Sequence, residues 1–251
     1  MAKEKTSKVL VALLILSLAL LVASLISAVR RRKTGGWFWA ANRGNLDEIK
    51  RLLDGGADVN QRTTGGQTAL HLISGGGSIP AEPIGFFFFA VQKLESRMVS
   101  FSVCAEIAEF LIARGADVNA KSRSGYTALH NAAQANNDEV AKILIANGAG
   151  VNAQDNFQRT PLHFAARMRG FEVAKLLIEN GAEVNCQDDL SRTPLHRAVT
   201  LGNEKLVGLL LRSGADVNLR DNLGKTGLDR ARETNLDEIV LLLEKYKKNH
   251  D

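Results

Sequence analysis

The sequence predicts an all-α solenoid, a stack of repeated helical units preceded by one N-terminal apolar helix. Two phrases that return in register predict the stack, and one long uncharged run predicts the apolar helix. Gly115-Ala116-Asp117-Val118-Asn119 returns every 33 residues, at Gly148 to Asn152, Gly181 to Asn185 and Gly214 to Asn218. Thr127-Ala128-Leu129-His130 keeps step with it, as Thr160-Pro161-Leu162-His163 and Thr193-Pro194-Leu195-His196. A fixed period of this size marks a protein whose units bury their apolar faces against their neighbours. Such folds present a surface, not a reaction pocket, so the first question is what the chain binds.

Each unit justifies two helices. Thr160 caps the first, whose opening turn holds Pro161, where a missing N–H costs nothing. The second carries Val173, Leu176, Leu177 and Ile178 at helical spacing and stops at Asn180-Gly181, where glycine is free to take positive φ. The turn between the helices holds Gly44, Asn136, Gly202 or Asn235, the residue types that tolerate a left-handed backbone. In the fourth unit that place holds Arg169, with Gly170 one position later, and a shifted turn is expected there.

The Thr-Pro-Leu-His opening, the Ala132-Ala133 and Ala165-Ala166 pairs and the closing Gly-Ala-Asp-Val-Asn together resemble the ankyrin repeat, over roughly residues 37 to 248. The resemblance implies helix, turn, helix, then a β-hairpin finger at right angles. Six units are read from it within 37–249, at 37–60, 61–119, 120–152, 153–185, 186–218 and 219–249. The first lacks the Thr-Pro-Leu-His phrase and starts with Trp37-Phe38-Trp39, as an N-terminal cap. The sixth carries Thr226-Gly227-Leu228-Asp229 and ends in polar Glu244 to Lys248. Atypical terminal units are expected, because their outer faces meet water.

The net charge of +5 invites a nucleic-acid partner, but its distribution argues against one. Residues 1–33 hold seven Lys/Arg and one Glu, so the remainder of the chain sums to −1. The basic groups flank the run Val9 to Val29, 21 residues without a charge, between a flank at 1–8 and a linker at 30–36. About 20 apolar residues cross a bilayer. Arg30 to Lys33 follow at once, and such a cluster favours the cytoplasmic side. An uncleaved single-pass anchor with a cytoplasmic repeat domain is expected. A cleaved signal peptide is the alternative, with Ser27-Ala28 near the cleavage point.

The second unit is longer than the rest. His71 to Gly115 is 44 residues where His130 to Gly148 is 18, so 26 extra residues lie at about 75–100. They open on a glycine-rich stretch and contain Phe86 to Phe89. From Phe87 through Val91, Leu94, Met98, Phe101, Ala105 and Ala108 to Ile112, steps of four and three predict one helical stripe running unbroken into the second helix. Three readings stand for it: an elongated helix on its own repeats, a partner-binding or membrane-touching element, or an insert without fixed structure.

Nothing in the sequence assembles a reaction site. His71, His130, His163 and His196 hold the same place in successive units, too far apart to converge on one metal ion. The resemblance implies that they hydrogen-bond to threonine or backbone and lock neighbouring repeats. Asp155, Asp188 and Asp221 share a turn position and are expected to cap it. No nucleophile–base–orienting set is present, so no enzyme, no cofactor and no small-molecule substrate is expected. Cys104 and Cys186 lie in different units and set no disulfide framework.

In a solenoid the varying residues on a fixed frame carry function. Aligned on the repeated histidine, and judged by the family, the concave groove and hairpin tips present Arg123, Tyr126, Phe157, Arg159, Arg167, Met168, Leu190, Arg192 and Leu223. The expected partner is a protein with an acidic segment and an apolar anchor. Arg159, Arg167 and Arg192 would meet its carboxylates, and Phe157 and Leu190 its apolar part.

Overall fold

The computed structural model describes residues 36–75, 100–168 and 170–248. The apolar run at 9–29, residues 76–99 of the insertion and Arg169 lie outside the described residues. Among the described residues no helix is long and apolar enough to cross a membrane.

Twelve helices are described, and they alternate between two rows. The first helices are α1 (Gly36–Asn42), α3 (Ala69–Ser74), α5 (Ala128–Ala135), α7 (Pro161–Arg167), α9 (Pro194–Thr200) and α11 (Gly227–Glu233). The second helices are α2 (Leu46–Asp54), α4 (Phe101–Ala113), α6 (Asp138–Ala146), α8 (Phe171–Glu179), α10 (Glu204–Arg212) and α12 (Asp237–Lys248). First helices pack on first helices along one row, and from α4 onward second helices pack on second helices along the other. The repeated leucines fill the space between. Leu129 and Leu162, with Leu111, Leu144, Leu177 and Leu210, are fully buried. Each contributes about 1.5–3 kcal/mol by leaving water. Alanines 132, 133, 165 and 166, also fully buried, leave little bulk between neighbouring first helices.

The interhelical turn follows its residues. Gly44, Asn136, Gly202 and Asn235 all take positive φ, between 53° and 65°. Asn45, Asn137 and Asn203 then cap the second helix, each accepting from an amide three residues on. The shifted turn expected in the fourth unit is not found at Gly170. That glycine has φ −75°, caps α8 in the place of those asparagines, and donates to Ala165 O as Asn137 does to Ala132 O. The backbone bond holds the register, so a glycine out of place in sequence is in place in structure. It brings no side-chain cap.

Two other expectations are corrected. Among the described residues no strand occurs, so the fingers are turns and not β-hairpins. Asp155 N–H donates to Arg159 O, but the return rung is missing, because Arg159 N–H bonds to the Asp155 carboxylate instead. The unbroken stripe also fails. Ser100 is extended, at ψ 147°, and its hydroxyl accepts from Val103 N–H, so α4 starts at Phe101. Its buried face is Cys104, Ile107, Ala108 and Leu111, of which only Ala108 belongs to the predicted stripe.

Lateral bonds stitch the units together. Asn60, Asn119, Asn152 and Asn185 each donate to a glycine carbonyl of the next unit at 2.9–3.0 Å and accept an amide from it at 2.8 Å. The last residue of each Gly-Ala-Asp-Val-Asn phrase is therefore a bridge. Finger amides add a second row, as Asn156 N–H to Ser124 O and Asp189 N–H to Phe157 O, both 3.1 Å.

Candidate functional site

Four histidines sit under the fingers. Nδ1 of His71, His130, His163 and His196 accepts the amide of its own capping threonine at 3.1–3.2 Å. Nε2 lies 2.8–3.0 Å from the carbonyls of Tyr126, Arg159, Arg192 and Lys225, each in the following unit. An amide only donates and a carbonyl only accepts, so each ring is the neutral Nε2–H tautomer. Burial lowers all four pKa values, to about 4 for His130 and His163. The sixth unit has Asp229 here, and its carboxylate accepts the Thr226 amide at 2.9 Å. The same carboxylate also accepts the Thr226 hydroxyl at 2.8 Å. Replacing His163 with alanine is expected to cost about 1–3 kcal/mol, because the Thr160 amide and the Arg192 carbonyl both lose a buried partner. Urea denaturation checks it; an unchanged midpoint would show that the ring holds nothing together.

Each finger from the fourth unit on closes around a buried aspartate. Asp155 accepts from the amides of Phe157 and Arg159, Asp188 from Leu190 and Arg192, and Asp221 from Leu223 and Lys225, all at 2.8–3.1 Å. The same carboxylates take up cations. Arg159 lies 2.6 Å from Asp155, and Arg230 pairs with Asp221. Asp188 takes two, Arg192 at 3.1 Å and Arg197 at 2.6 Å. Burial alone would push the Asp188 carboxyl up, but bonds from the Arg192 amide and the Arg197 guanidinium hold it below the usual range. Arg197 is itself lowered, by burial and by the positive charges of Arg192 and Arg159.

Beside the fourth finger the aromatic residues converge. The Arg159 guanidinium stands 4.7–5.6 Å from the rings of Phe164, Phe157 and Tyr126, and its Nη2 donates to the Tyr126 hydroxyl at 2.6 Å. Phe157, Met168, Leu190 and Leu223 remain exposed, at 49%, 46%, 37% and 65%. Arg123 and Arg167 are exposed and form no ion pair among the described residues. Of the nine sequence-predicted residues, Tyr126, Phe157 and Arg159 thus form one cluster. Phe157, Leu190 and Leu223 line successive finger tips. Arg159 and Arg192 are engaged by their own fingers. Between them Arg159, His163, Phe164, Arg167 and Arg197 line a shallow, open depression.

Family models for ankyrin repeats match this chain over residues 97–188, in three copies, and singly over 37–64 and 191–222. Together these take in more than half of its length. The chain belongs to the ankyrin-repeat family. Over 113 residues it is also 34% identical to the neurogenic locus notch homolog protein 2 of Homo sapiens and of Mus musculus. That alignment covers 40% of this chain, which spans only 4% of the length of either relative. An ankyrin-repeat stack is an interaction module, and the finger and first-helix surface is where this one varies.

Sequence reasoning missed two residues of this ankyrin surface, Phe164 and Arg197. Both directly follow the repeated histidine, a place held by Leu72 and Asn131 in earlier units. A signal existed. Asp188–Arg197 and Asp221–Arg230 repeat the same nine-residue spacing, which joins a finger to the helix behind it.

Proposed function

We propose that this chain is a membrane-anchored ankyrin-repeat scaffold of six units, 37–249, that holds a protein partner against its finger tips and first helices. Residues 9–29 are the anchor, and the Arg30 to Lys33 flank places the repeats on the cytoplasmic side. The partner contributes an acidic segment with an apolar anchor, met by Arg123, Tyr126, Phe157, Arg159, Arg167, Met168, Leu190, Arg192 and Leu223. One observation carries this reading: exposed apolar side chains at three successive tips, Phe157, Leu190 and Leu223, beside guanidiniums. Exposed aromatic and arginine residues in one patch are the composition of binding hot spots.

Peptides test the surface. A fluorescent octapeptide pool alternating Glu with Leu or Phe should bind the full-length chain in detergent micelles. Phe157→Ala should weaken it by about 2 kcal/mol, chiefly through faster dissociation. Lys142→Glu is the control, because Lys142 lies on α6 and pairs with Asp138. Equal weakening by the control would remove the assignment. The anchor has its own test: protease added outside sealed cells should spare the repeats. An exported form is the second reading, motivated by Ser27-Ala28, and an intact mass lacking about residues 1–28 would establish it.

A further inference from the structure

We infer that Arg167 and Arg197 form the seat for one carboxylate of the partner polypeptide, with that partner's neighbouring apolar side chain lying across Phe157 and Leu190. The inference deepens the groove reading above and rests on it. Its starting point is an imbalance. The Asp155 and Asp221 carboxylates each pair with one arginine, Arg159 and Arg230, while Lys225 goes to Glu233. Asp188 alone is shared by two, Arg192 and Arg197. Arg167 adds a further cation with no ion pair among the described residues. On the fourth and fifth units Arg159, Arg192 and Arg197 pair with the carboxylates of Asp155 and Asp188, Arg167 adds a fourth guanidinium, and the exposed tip residue Asp189 a third carboxylate. His163 on the wall of the depression is neutral, with Nδ1 accepting and Nε2 donating, and supplies no charge. The surplus is a single positive charge, which one carboxylate neutralises.

Geometry narrows the occupant. The depression is shallow and open, so it offers a surface contact to a side-chain head and not an enclosed pocket for a whole ligand. A guanidinium presents a planar fork that matches a carboxylate. The apolar ledge lies beside it. The Asp189 amide donates to Phe157 O at 3.1 Å, which ties the fourth and fifth tips together. Their exposed side chains, with Met168 next to Arg167 in sequence, give the segment flanking the acid an apolar surface. One surplus charge cannot follow a phosphodiester backbone, so the chemistry is that of an acidic-apolar peptide.

The same peptide pools decide the matter, with Gln or Lys replacing Glu in two further pools. The full-length chain in micelles should bind the Glu pool, bind the Gln pool about tenfold more weakly, and ignore the Lys pool. Arg167→Gln should cut Glu-pool affinity by about five- to tenfold, flatten its salt dependence and leave the Gln pool unchanged. Arg167 holds no ion pair among the described residues, so its far-ultraviolet circular dichroism should match that of the wild type. Arg197→Lys, which keeps the charge and loses the fork, should lose part of the same affinity. If Arg167→Gln binds the Glu pool as the wild type does while Phe157→Ala still weakens it, the seat lies elsewhere and the groove reading survives. Equal binding of the Glu and Gln pools would show that no acid is read. If neither Phe157→Ala nor Arg167→Gln changes binding, both readings fall together.

Discussion

Lowering the pH from about 7.5 to about 4.5 is expected to remove several kcal/mol of stability from the solenoid. The cause is the row of buried histidines. Burial holds His130 and His163 at about 4, against 6.5 for the free side chain. Below 6.5 the unfolded chain binds protons that the folded chain refuses, so folding is penalised increasingly as pH falls. The stability is whole above about 6.5 and drains away between there and about 4, where the folded rings finally protonate. At 1.36 kcal/mol per unit, these two alone cost roughly 3 kcal/mol each. His71 and His196 shift the same way and add to the loss. Protonation at Nδ1 would also set two donors face to face across the threonine amide bond. Urea titrations at a series of pH values measure the effect. A midpoint flat across this range would mean that the folded rings take up protons as readily as those of the unfolded chain, against the tautomer their partners require.

The two phrases that reveal the solenoid in the sequence are the residues that build its joints. Threonine caps α5, α7 and α9, histidine reaches the next carbonyl, and the closing asparagine bridges the next glycine. A joint must recur wherever a unit meets a unit, so periodicity exposes it. The surface was less legible. The fingertip row of Phe157, Leu190 and Leu223 was readable, because one alignment position held apolar residues that a solvated turn does not need. Which arginines are engaged was not, because that depends on carboxylates contributed from another element. Arg159 and Arg192 read from the sequence as binding groups, and the structure adds that Asp155 and Asp188 already pair with them. Arg197 was missed because it lies on a helix, nine residues from its partner. The predicted stripe of α4 failed for a related reason. Steps of four and three continue through any apolar run, and one serine N-cap sets where α4 begins without disturbing them.

Asp188→Ala should destabilise the protein more than Asp155→Ala, by about 3 kcal/mol or more in the first case. The Asp188 carboxylate has no side-chain exposure and gathers four donors: the amides of Leu190 and Arg192 and the guanidiniums of Arg192 and Arg197. Removing it opens the fifth finger and leaves two cations side by side with no counter-charge. Arg197 fares worst. Its side chain is only 18% exposed, and its Nε is already buried without a partner. Asp155 holds a similar finger but a single cation, and Arg159 would keep the Tyr126 hydroxyl and three aromatic rings after the loss. The ranking therefore follows from the number of stranded charges and not from burial, which is the same at both sites. Asp188→Asn separates the two roles, since its amide oxygen still caps the turn while the charge is gone. It should fall between wild type and Asp188→Ala in stability and bind the Glu pool more tightly, because the uncompensated positive charge grows by one. Thermal and urea unfolding of the three variants decide the order. If Asp155→Ala proves as costly as Asp188→Ala, the fingers are held by their turn bonds alone and the shared carboxylate carries no special weight.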